Sequence, residues 1–317
     1  METASLLTIR SAADLLEADP PRPSFILEPI LSPGTIALIY GQPGVGKSFL
    51  ALGLALAAAG AGRMLGWTAA RPHKVLYLDG EMRPHQVAAR LRLFGPLPPS
   101  LQIWLATEQG GPRLDLSNVD GLVRLVRSWG DPDLLVIDSL SSLVGGATGR
   151  DPERWSEMRY FLGLQQRHGR AVILVHHANR DGAMRGTSRR ADAVDLIMAL
   201  RRPRDWQPAD GARFELRLEK PRDLTGPQLI PIEAQLCTRP GGIAQWQWHR
   251  GGSADLRRAA PLLQQGMSAE AVAKAIGVSP RMAYRLKRQA RELGWIRAAW
   301  RPPRGKHRVQ ALVPSGS

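Results

Sequence analysis

The sequence predicts an α/β fold, a mostly parallel sheet between helices, followed by a small C-terminal domain of the helix-turn-helix or winged-helix type. Three observations support this prediction. A glycine-rich segment, Gly41–Ser48, lies between a short apolar run and an Ala/Leu-rich run. Further apolar runs that end in polar residues alternate with helical patterns, as in βαβ units. The last fifth of the chain has three short helical patterns with a glycine in a turn.

The length and composition indicate a two-domain protein. The 317 residues are enough for one large core and a smaller second domain. We expect a peripheral lead-in at 1–24, the α/β core at 25–250 and the C-terminal domain at 254–317. The lone cysteine, Cys237, excludes an internal disulfide. The N-terminus has no signal pattern, and no apolar run is long enough to span a bilayer, so we expect a cytoplasmic protein without membrane contact.

The positive charge is concentrated in the C-terminal part. The formal net charge is +15, and from Arg250 onward there are 14 Lys/Arg against 3 Asp/Glu. A basic terminal domain indicates a polyanionic partner such as nucleic acid. The alternative is compositional bias, because the chain has 37 arginines but only 6 lysines.

The glycine-rich segment has the strongest chemical signature. It reads GQPGVGKS and fits the phosphate-loop pattern G-x-x-x-x-G-K-[ST] without a mismatch. The flanking strand (35–40) and helix (49–59) would aim backbone N–H groups at phosphate oxygens. We expect Lys47 to reach the β- and γ-phosphates of ATP and Ser48 to hold Mg²⁺. The predicted ATP-binding residues are Gly41, Gln42, Pro43, Gly44, Val45, Gly46, Lys47, Ser48 and Phe49.

A second apolar strand, Lys74–Met82, ends in acidic residues (KVLYLDGEM). In such sheets, functional groups gather at the carboxyl ends of the strands. Asp79 and Glu81 alternate there and should point to opposite sides. After a phosphate loop, Glu81 is the favoured candidate for the carboxylate that orients or deprotonates an attacking water. The alternative is an ordinary acidic strand end.

Two more strands end in candidate site residues. The run Asp133–Ser139 (DLLVIDS) matches a Walker B strand, in which Asp138 would bind Mg²⁺. A strand from Ala171 ends in His176 and His177, and we expect one of them to sense the γ-phosphate. A metal site is the lesser interpretation, because no third ligand lies at a suitable spacing. The intervening stretches 83–94, 119–129 and 154–168 have helical patterns.

The remainder of the core is less informative. A polar Gly/Arg-rich loop at 179–190 precedes a buried segment at 191–200. A strand from Phe214 ends in Lys220-Pro221-Arg222, whose cations could contact the γ-phosphate of a neighbouring subunit. Spacing alone favours a solvated basic turn. Prolines and glycines predict irregular structure from 227 to 250.

The C-terminal residues predict a DNA-binding helix-turn-helix. Helical patterns at 254–265, 268–276 and 280–293 are separated by short turns, and Ser268 is the expected N-cap of the second. A basic hairpin, or wing, is predicted at 295–313. We expect the third helix to contact the DNA major groove and phosphates. The alternative is a helical oligomerisation or docking module. The candidate DNA contacts here are Arg281, Arg285, Lys287 and Arg288.

The first 250 residues or so resemble the RecA-like ATPases of the plasmid RepA-type and DnaB-type hexameric helicases, a group described broadly as AAA-family ATPases. The resemblance rests on GQPGVGKS, VLYLDGEM, LLVIDS, and VHHANR followed by RGTSRRADAVDLI. It implies that Glu81 is the catalytic base and His177 the sensor, and that Lys220 and Arg222 act across a hexamer interface. It also implies a loop, 180–190, facing single-stranded DNA in a central channel. The loop's candidate contacts are Arg185, Arg189 and Arg190.

These features predict a DNA-dependent ATPase that uses Mg²⁺ and acts as a homo-oligomeric ring, most simply a hexamer. A plasmid- or phage-type helicase or replication-initiation protein would use these parts. We expect only a short lead-in at the position where DnaB-type helicases carry a large N-terminal helical domain. A C-terminal winged-helix-like module is not part of the minimal RepA-type helicase. The alternative is therefore an ATP-switched DNA-binding regulator or helicase loader without processive unwinding. A small-molecule kinase would leave the basic C-terminal part unexplained.

Overall fold

The computed structural model describes residues 9–20, 24–110, 114–144, 152–178, 192–222, 224–238, 242–251, 254–292 and 295–296. The chain divides into two compact units, Met1–Ser253 and Ala254–Ser317. No helix in the described ranges combines the length and apolar character needed to cross a membrane.

The first unit is built around one large sheet. Its strands are β1 (Ile36–Gly41), β2 (Arg63–Met64), β3 (Trp67–Thr68), β4 (Val75–Asp79), β5 (Leu101–Leu105), β6 (Leu134–Asp138), β7 (Ala171–His177), β8 (Leu196–Arg201), β9 (Arg213–Leu218), β10 (Ile232–Thr238) and β11 (Ala244–Arg250). The sheet order is β11-β10-β9-β8-β1-β7-β6-β4-β5, and β2 and β3 form a separate ribbon. Neighbours from β5 to β8 are parallel, and neighbours from β8 to β11 are antiparallel. The predicted α/β fold with a mostly parallel sheet is confirmed.

Helices cover both faces of this sheet. The first helix of this unit, α1 (Ala12–Glu17), is exposed throughout, and the covering helices are α2 (Lys47–Ala59), α3 (Pro84–Arg92), α4 (Val119–Ser128), α5 (Leu140–Leu143) and α6 (Pro152–Arg167). Alternate residues of β1 enter two cores: Ile39 shares one with Leu54 of α2, and Leu38 shares the other with Phe161 of α6. Because both faces are covered, the parallel strands are apolar almost throughout. The four predicted parallel strands appear as β1, β4, β6 and β7, although β4 ends at Asp79, before Glu81.

The prediction of irregular structure from 227 to 250 is wrong. β10 and β11 pair antiparallel there and extend the sheet beyond β9. Pro231 directly precedes β10, and Gly242, with a φ of 83°, lies between the two strands. The residues that we interpreted as strand breakers therefore mark the strand ends. The alternating pattern of β11, AQWQWHR, is the strand signal that we overlooked.

The second unit contains three described helices, α7 (Ala254–Gln264), α8 (Ala269–Ile276) and α9 (Pro280–Glu292). Leu256, Val272 and Leu286, one from each helix, share a core. The Ser268 side chain caps α8 by accepting a hydrogen bond from the N–H of Ala271, at 3.2 Å. Gly277 ends α8 with a φ of 72°. Apart from Trp295 and Ile296, the predicted wing lies outside the described residues, and the helix-turn-helix assignment stays a prediction.

Candidate functional site

The predicted phosphate-binding loop connects β1 to α2 at the carboxyl edge of the sheet. Gly44 and Gly46 have φ values of 73° and 110°, a conformation that residues with a Cβ rarely adopt. Gly46 is the N-cap of α2 and supplies no side-chain acceptor to the helix. Because the first N–H groups of a helix lack intrahelical partners, this end of α2 is suited to an anion.

Lys47 is the first residue of α2, and only 5 % of its surface is exposed. Its Nζ donates hydrogen bonds to the carbonyl oxygens of Gly41 and Gln42, each at 3.0 Å. Burial lowers the pKa of Lys47, and the negative charges of Asp138 and Glu81 oppose that change. The ammonium is thus held against the loop that a phosphate would occupy, where loop carbonyls satisfy its donors.

Asp138 is the last residue of β6 and is almost fully buried. The Tyr77 hydroxyl donates to Asp138 Oδ2 at 2.6 Å. Burial raises the pKa of Asp138, and the nearby charges of Asp79 and Glu81 raise it further, while hydrogen bonds from Tyr77 and Ser48 lower it. A buried carboxylate close to other negative charges favours a cation.

Ser48 and Asp138 fit the Mg²⁺ that the sequence predicts. They present a hydroxyl and a carboxylate oxygen side by side, and both are hard donors that Mg²⁺ prefers. The described residues contain no group of three or more His, Cys, Asp or Glu side chains that could enclose a metal. The two residues therefore suit an ion that also takes oxygen ligands from phosphates and water.

Glu81 lies just beyond the end of β4, in a turn held by Asp79. Oδ1 of Asp79 accepts hydrogen bonds from the N–H groups of Glu81 and Met82, at 2.9 and 2.7 Å. Oε1 of Glu81 accepts a hydrogen bond from the Ser139 hydroxyl at 2.5 Å. His177 Nε2 lies 3.6 Å from the same oxygen. The interactions with His177 and then Ser139 lower the pKa of Glu81 to about 2, against the effect of burial.

Strand alternation separates the two histidines that the sequence left equivalent. His177 shares a sheet face with Ile173 and Val175, which pack in the same core as α2. His176 shares the opposite face with Leu174 and is buried. His177 therefore lies near Glu81, and His176 does not line the cavity formed by the described residues.

One cavity of about 570 Å³ brings the candidate residues together. Its described lining residues are Pro43, Gly44, Gly46, Lys47, Ser48, Phe49, Glu81, Arg90, Asp138, His177, Trp206, Pro208, Gly211 and Ala212. Arg90 of α3 is not among the lining residues predicted from the sequence, and neither are the four lining residues of the β8–β9 connection. The sequence signal for the β8–β9 connection is Trp206, a large aromatic residue in a polar loop that follows a strand ending at the carboxyl edge of the sheet.

Lys220 and Arg222 lie at the opposite edge of the sheet. β9 runs antiparallel to β8, so the chain after Leu218 returns to the amino ends of the parallel strands. Arg222 Nη1 donates to Asp195 Oδ1 at 3.0 Å, and Asp195 Oδ2 accepts from the N–H of Ile36, the first residue of β1. A six-residue strand spans roughly 17 Å. Neither cation is positioned to contact a nucleotide on the loop of its own chain.

The candidate DNA contacts fall into two groups. Arg185, Arg189 and Arg190 lie outside the described residues. The second group lies on α9 and is exposed at helical spacing, with Arg281, Arg285 and Arg288 in one row. The opposite side of α9 is buried and carries Ala283, Leu286 and Ala290. Lys287 flanks the row and is partly exposed. The C-terminal unit therefore presents a row of guanidinium groups along one helix.

The chain matches a known family over more than half its length. The sequence profile of AAA_25, described as an AAA domain, matches residues 2–183. DNA repair protein RadA of Streptococcus pyogenes serotype M6 is 24 % identical over 170 residues, which is 52 % of this chain and 33 % of that protein. DNA repair protein RadA of Brucella abortus is 28 % identical over 173 residues, 52 % of this chain and 33 % of that protein. The chain thus spans about one third of the length of these relatives.

Among solved structures, the chain is similar to the flagellar accessory protein FlaH from Methanocaldococcus jannaschii. It is 11 % identical, with a TM-score of 0.47, over 68 % of this chain and 90 % of that chain.

Proposed function

The chain belongs to the AAA domain family, and on this premise we propose that it is an ATP-hydrolysing, DNA-dependent motor of the RecA-like type. The convergence of Lys47, Ser48, Asp138, Glu81 and His177 on one cavity carries this proposal. Two of these five side chains come from the start of α2, and the other three come from strand ends. Together they supply a cation for phosphate, oxygen donors for Mg²⁺, a carboxylate for water and a polar group for the terminal phosphate.

Each residue has a distinct role in the proposed reaction. Lys47 exchanges the carbonyls of Gly41 and Gln42 for the β- and γ-phosphate oxygens. Ser48 and Asp138 would hold Mg²⁺, which would neutralise charge that develops on the phosphates. Glu81 accepts a hydrogen bond from the attacking water. Hydrogen bonds from its neighbours lower the pKa of Glu81, so its carboxylate is ionised and can orient or deprotonate the water. His177 contacts the γ-phosphate and links it to Glu81.

The proposed assembly is a homo-oligomeric ring, most simply a hexamer. Lys220 and Arg222 would complete the site of the adjacent subunit, because they lie away from the loop of their own chain. A guanidinium donated in this way stabilises the charge of the transition state. The partner DNA is proposed to be single-stranded in a ring channel, as in the RepA- and DnaB-type helicases that the sequence resembles. The name of the relatives, DNA repair protein, also favours a DNA partner.

Steady-state ATP hydrolysis, measured with and without single-stranded DNA, tests this function. We expect multiple turnover that requires Mg²⁺, increases with single-stranded DNA, and accompanies a mass of several subunits in solution. ATP binding by a monomer without turnover would contradict the motor. A strand-displacement assay on the same preparation would then separate a helicase from an ATPase that does not unwind DNA.

A second candidate is an ATP-switched DNA-binding regulator or helicase loader, and the arginine row on α9 favours it. In that case the C-terminal unit binds duplex DNA, and ATP controls assembly without repeated hydrolysis. The two candidates differ in turnover, and only the second requires DNA binding by α9.

The double variant Arg281→Ala/Arg285→Ala tests the proposed DNA binding by α9. We expect weaker binding of duplex DNA. The slope of the logarithm of the binding constant against the logarithm of the salt concentration should become less steep, by roughly 0.9 for each phosphate that is no longer neutralised. The measurement is a salt titration of binding to a fluorescent duplex. The matched control, Arg258→Ala/Lys274→Ala, removes two exposed cations from α7 and α8. Equal weakening in both double variants would indicate a general charge effect and no DNA contact specific to α9.

A further inference from the structure

The nucleotide cavity has a wall that the phosphate chemistry does not use. This wall is the segment between β8 and β9, residues 202–212, which contributes Trp206, Pro208, Gly211 and Ala212. The segment packs directly on the phosphate-binding loop. A Cβ placed on Gly46 would lie 3.3 Å from the Cβ of Ala212. A group that extends from phosphates bound at Lys47 would therefore meet the 202–212 segment.

Ion pairs hold the 202–212 segment in place. Arg213, with a side chain only 14 % exposed, pairs with Asp205 at 3.0 Å, Asp210 at 3.0 Å and Glu233 at 2.7 Å. Asp205 directly precedes Trp206, and Asp210 lies near the end of the segment. One guanidinium therefore ties both parts of the segment to β10. A wall fixed before binding loses little entropy when a ligand arrives.

The Trp206 ring has a fixed orientation within this wall. Its Nε1 donates to the carbonyl of Gly211 at 3.2 Å. The guanidinium carbon of Arg202 lies 4.0 Å from the ring centroid. Arg202 is not among the described residues that line the cavity, whereas Trp206 is. The indole is thus supported by a cation and contributes aromatic surface to the cavity.

We infer that the Trp206 ring is the surface on which the base of a bound nucleoside triphosphate stacks. The inference rests on the proposed function only in requiring a nucleotide in this cavity. The described lining residues with charged or hydroxyl side chains are Lys47, Ser48, Glu81, Arg90, Asp138 and His177. All of these except Arg90 have roles at the phosphate end of the nucleotide. The sixth, Arg90, has its guanidinium carbon 4.7 Å from the centroid of the Phe49 ring.

Apart from Trp206, the described residues of the 202–212 segment that line the cavity have no side chain that can read the edge of a base. Pro208, Gly211 and Ala212 have no side-chain donor or acceptor. Stacking depends on the ring face, which all bases have, whereas discrimination needs hydrogen bonds to the base edge. We therefore expect the site to accept both purine nucleoside triphosphates, ATP and GTP, with similar affinity.

Binding measurements on the full chain in the presence of Mg²⁺ test this inference. The ligands are ATP, GTP and tripolyphosphate, which has the phosphates without a nucleoside. In Trp206→Ala we expect the affinity for ATP and for GTP to fall about 10-fold, the scale of base–aromatic stacking. The affinity for tripolyphosphate should stay unchanged. Trp206→Phe, which retains an aromatic face, should bind both nucleotides nearly as the wild type does.

The controls separate stacking from general damage. Trp248→Ala removes an exposed tryptophan of β11 that does not line the cavity, and it should bind all three ligands normally. Unchanged ATP affinity in Trp206→Ala would overturn the inference, as would an equal loss for tripolyphosphate. A large wild-type preference for ATP over GTP would overturn the purine tolerance. Because binding alone is measured, absence of hydrolysis would contradict the proposed motor and leave this result intact.

Discussion

Replacing Glu81 with Gln is expected to reduce ATP turnover by about 10²- to 10⁴-fold, the range for losing a group that orients or deprotonates the reacting water. The amide has nearly the same shape but cannot accept a proton, and its N–H₂ group competes with the water for acceptors. ATP binding should persist, because Lys47 and the start of α2 are untouched. The assay is steady-state hydrolysis together with ATP affinity.

Glu157→Gln is the matched control for this variant, because Glu157 is exposed on α6 and does not line the cavity. Its turnover should equal that of the wild type. A Glu81→Gln protein that hydrolyses ATP at the normal rate would remove Glu81 from the reaction. Loss of ATP binding in the same protein would instead mean that the carboxylate is needed to shape the site.

Replacing Arg222 with Ala is expected to reduce turnover by about 10³- to 10⁵-fold, as for other arginines supplied to a phosphoryl-transfer site from a second subunit. Stability should change little, because the Arg222 side chain is 54 % exposed and its pair with Asp195 is screened by solvent. ATP binding should persist, because the residue lies at the other edge of the sheet. Arg159→Ala on α6 is the control and should retain full activity.

Mixing the two inactive variants makes the test specific. A subunit with Arg222→Ala keeps Glu81, and a neighbour with Glu81→Gln keeps Arg222, so their shared site is complete. Activity should return when Arg222→Ala and Glu81→Gln proteins are combined. No recovery in mixed oligomers would show that Arg222 does not act across subunits, whatever the effect of the single variant.

The parts of the site that could be predicted are those defined by local sequence. The loop from Gly41 to Ser48 needs specific residue types at fixed spacing, so its pattern alone indicates its geometry. Asp138 and Glu81 were predicted because strand ends collect at one edge of a parallel sheet. Alternation along β7 also predicts that His176 and His177 lie on opposite faces of the sheet. Alternation alone does not tell which face carries the phosphate loop, and that face follows only from the packing of α2 in the folded structure.

The parts that were missed depend on contacts between distant segments. The 202–212 segment reaches the phosphate loop only because β8 lies beside β1 and β9 turns back antiparallel. The hairpin of β10 and β11 was hidden because Pro and Gly were taken as breakers. For Lys220 and Arg222, spacing favoured a solvated turn and only the family resemblance suggested a role. Both follow the end of β9 that lies away from the phosphate loop, so neither acts in the site of its own chain, and the role across subunits stays a prediction.

β9 connects two places that would serve different nucleotides. The 202–212 segment before β9 borders the cavity of its own chain, and Lys220 and Arg222 follow the other end of the strand. Phe214 and Leu216 are fully buried, and strands so enclosed are the least deformable parts of a protein. β9 is therefore a rigid connection between the segment and the two cations. In the proposed ring, β9 would thus link the nucleotide cavity of one subunit to the cations proposed to act on its neighbour.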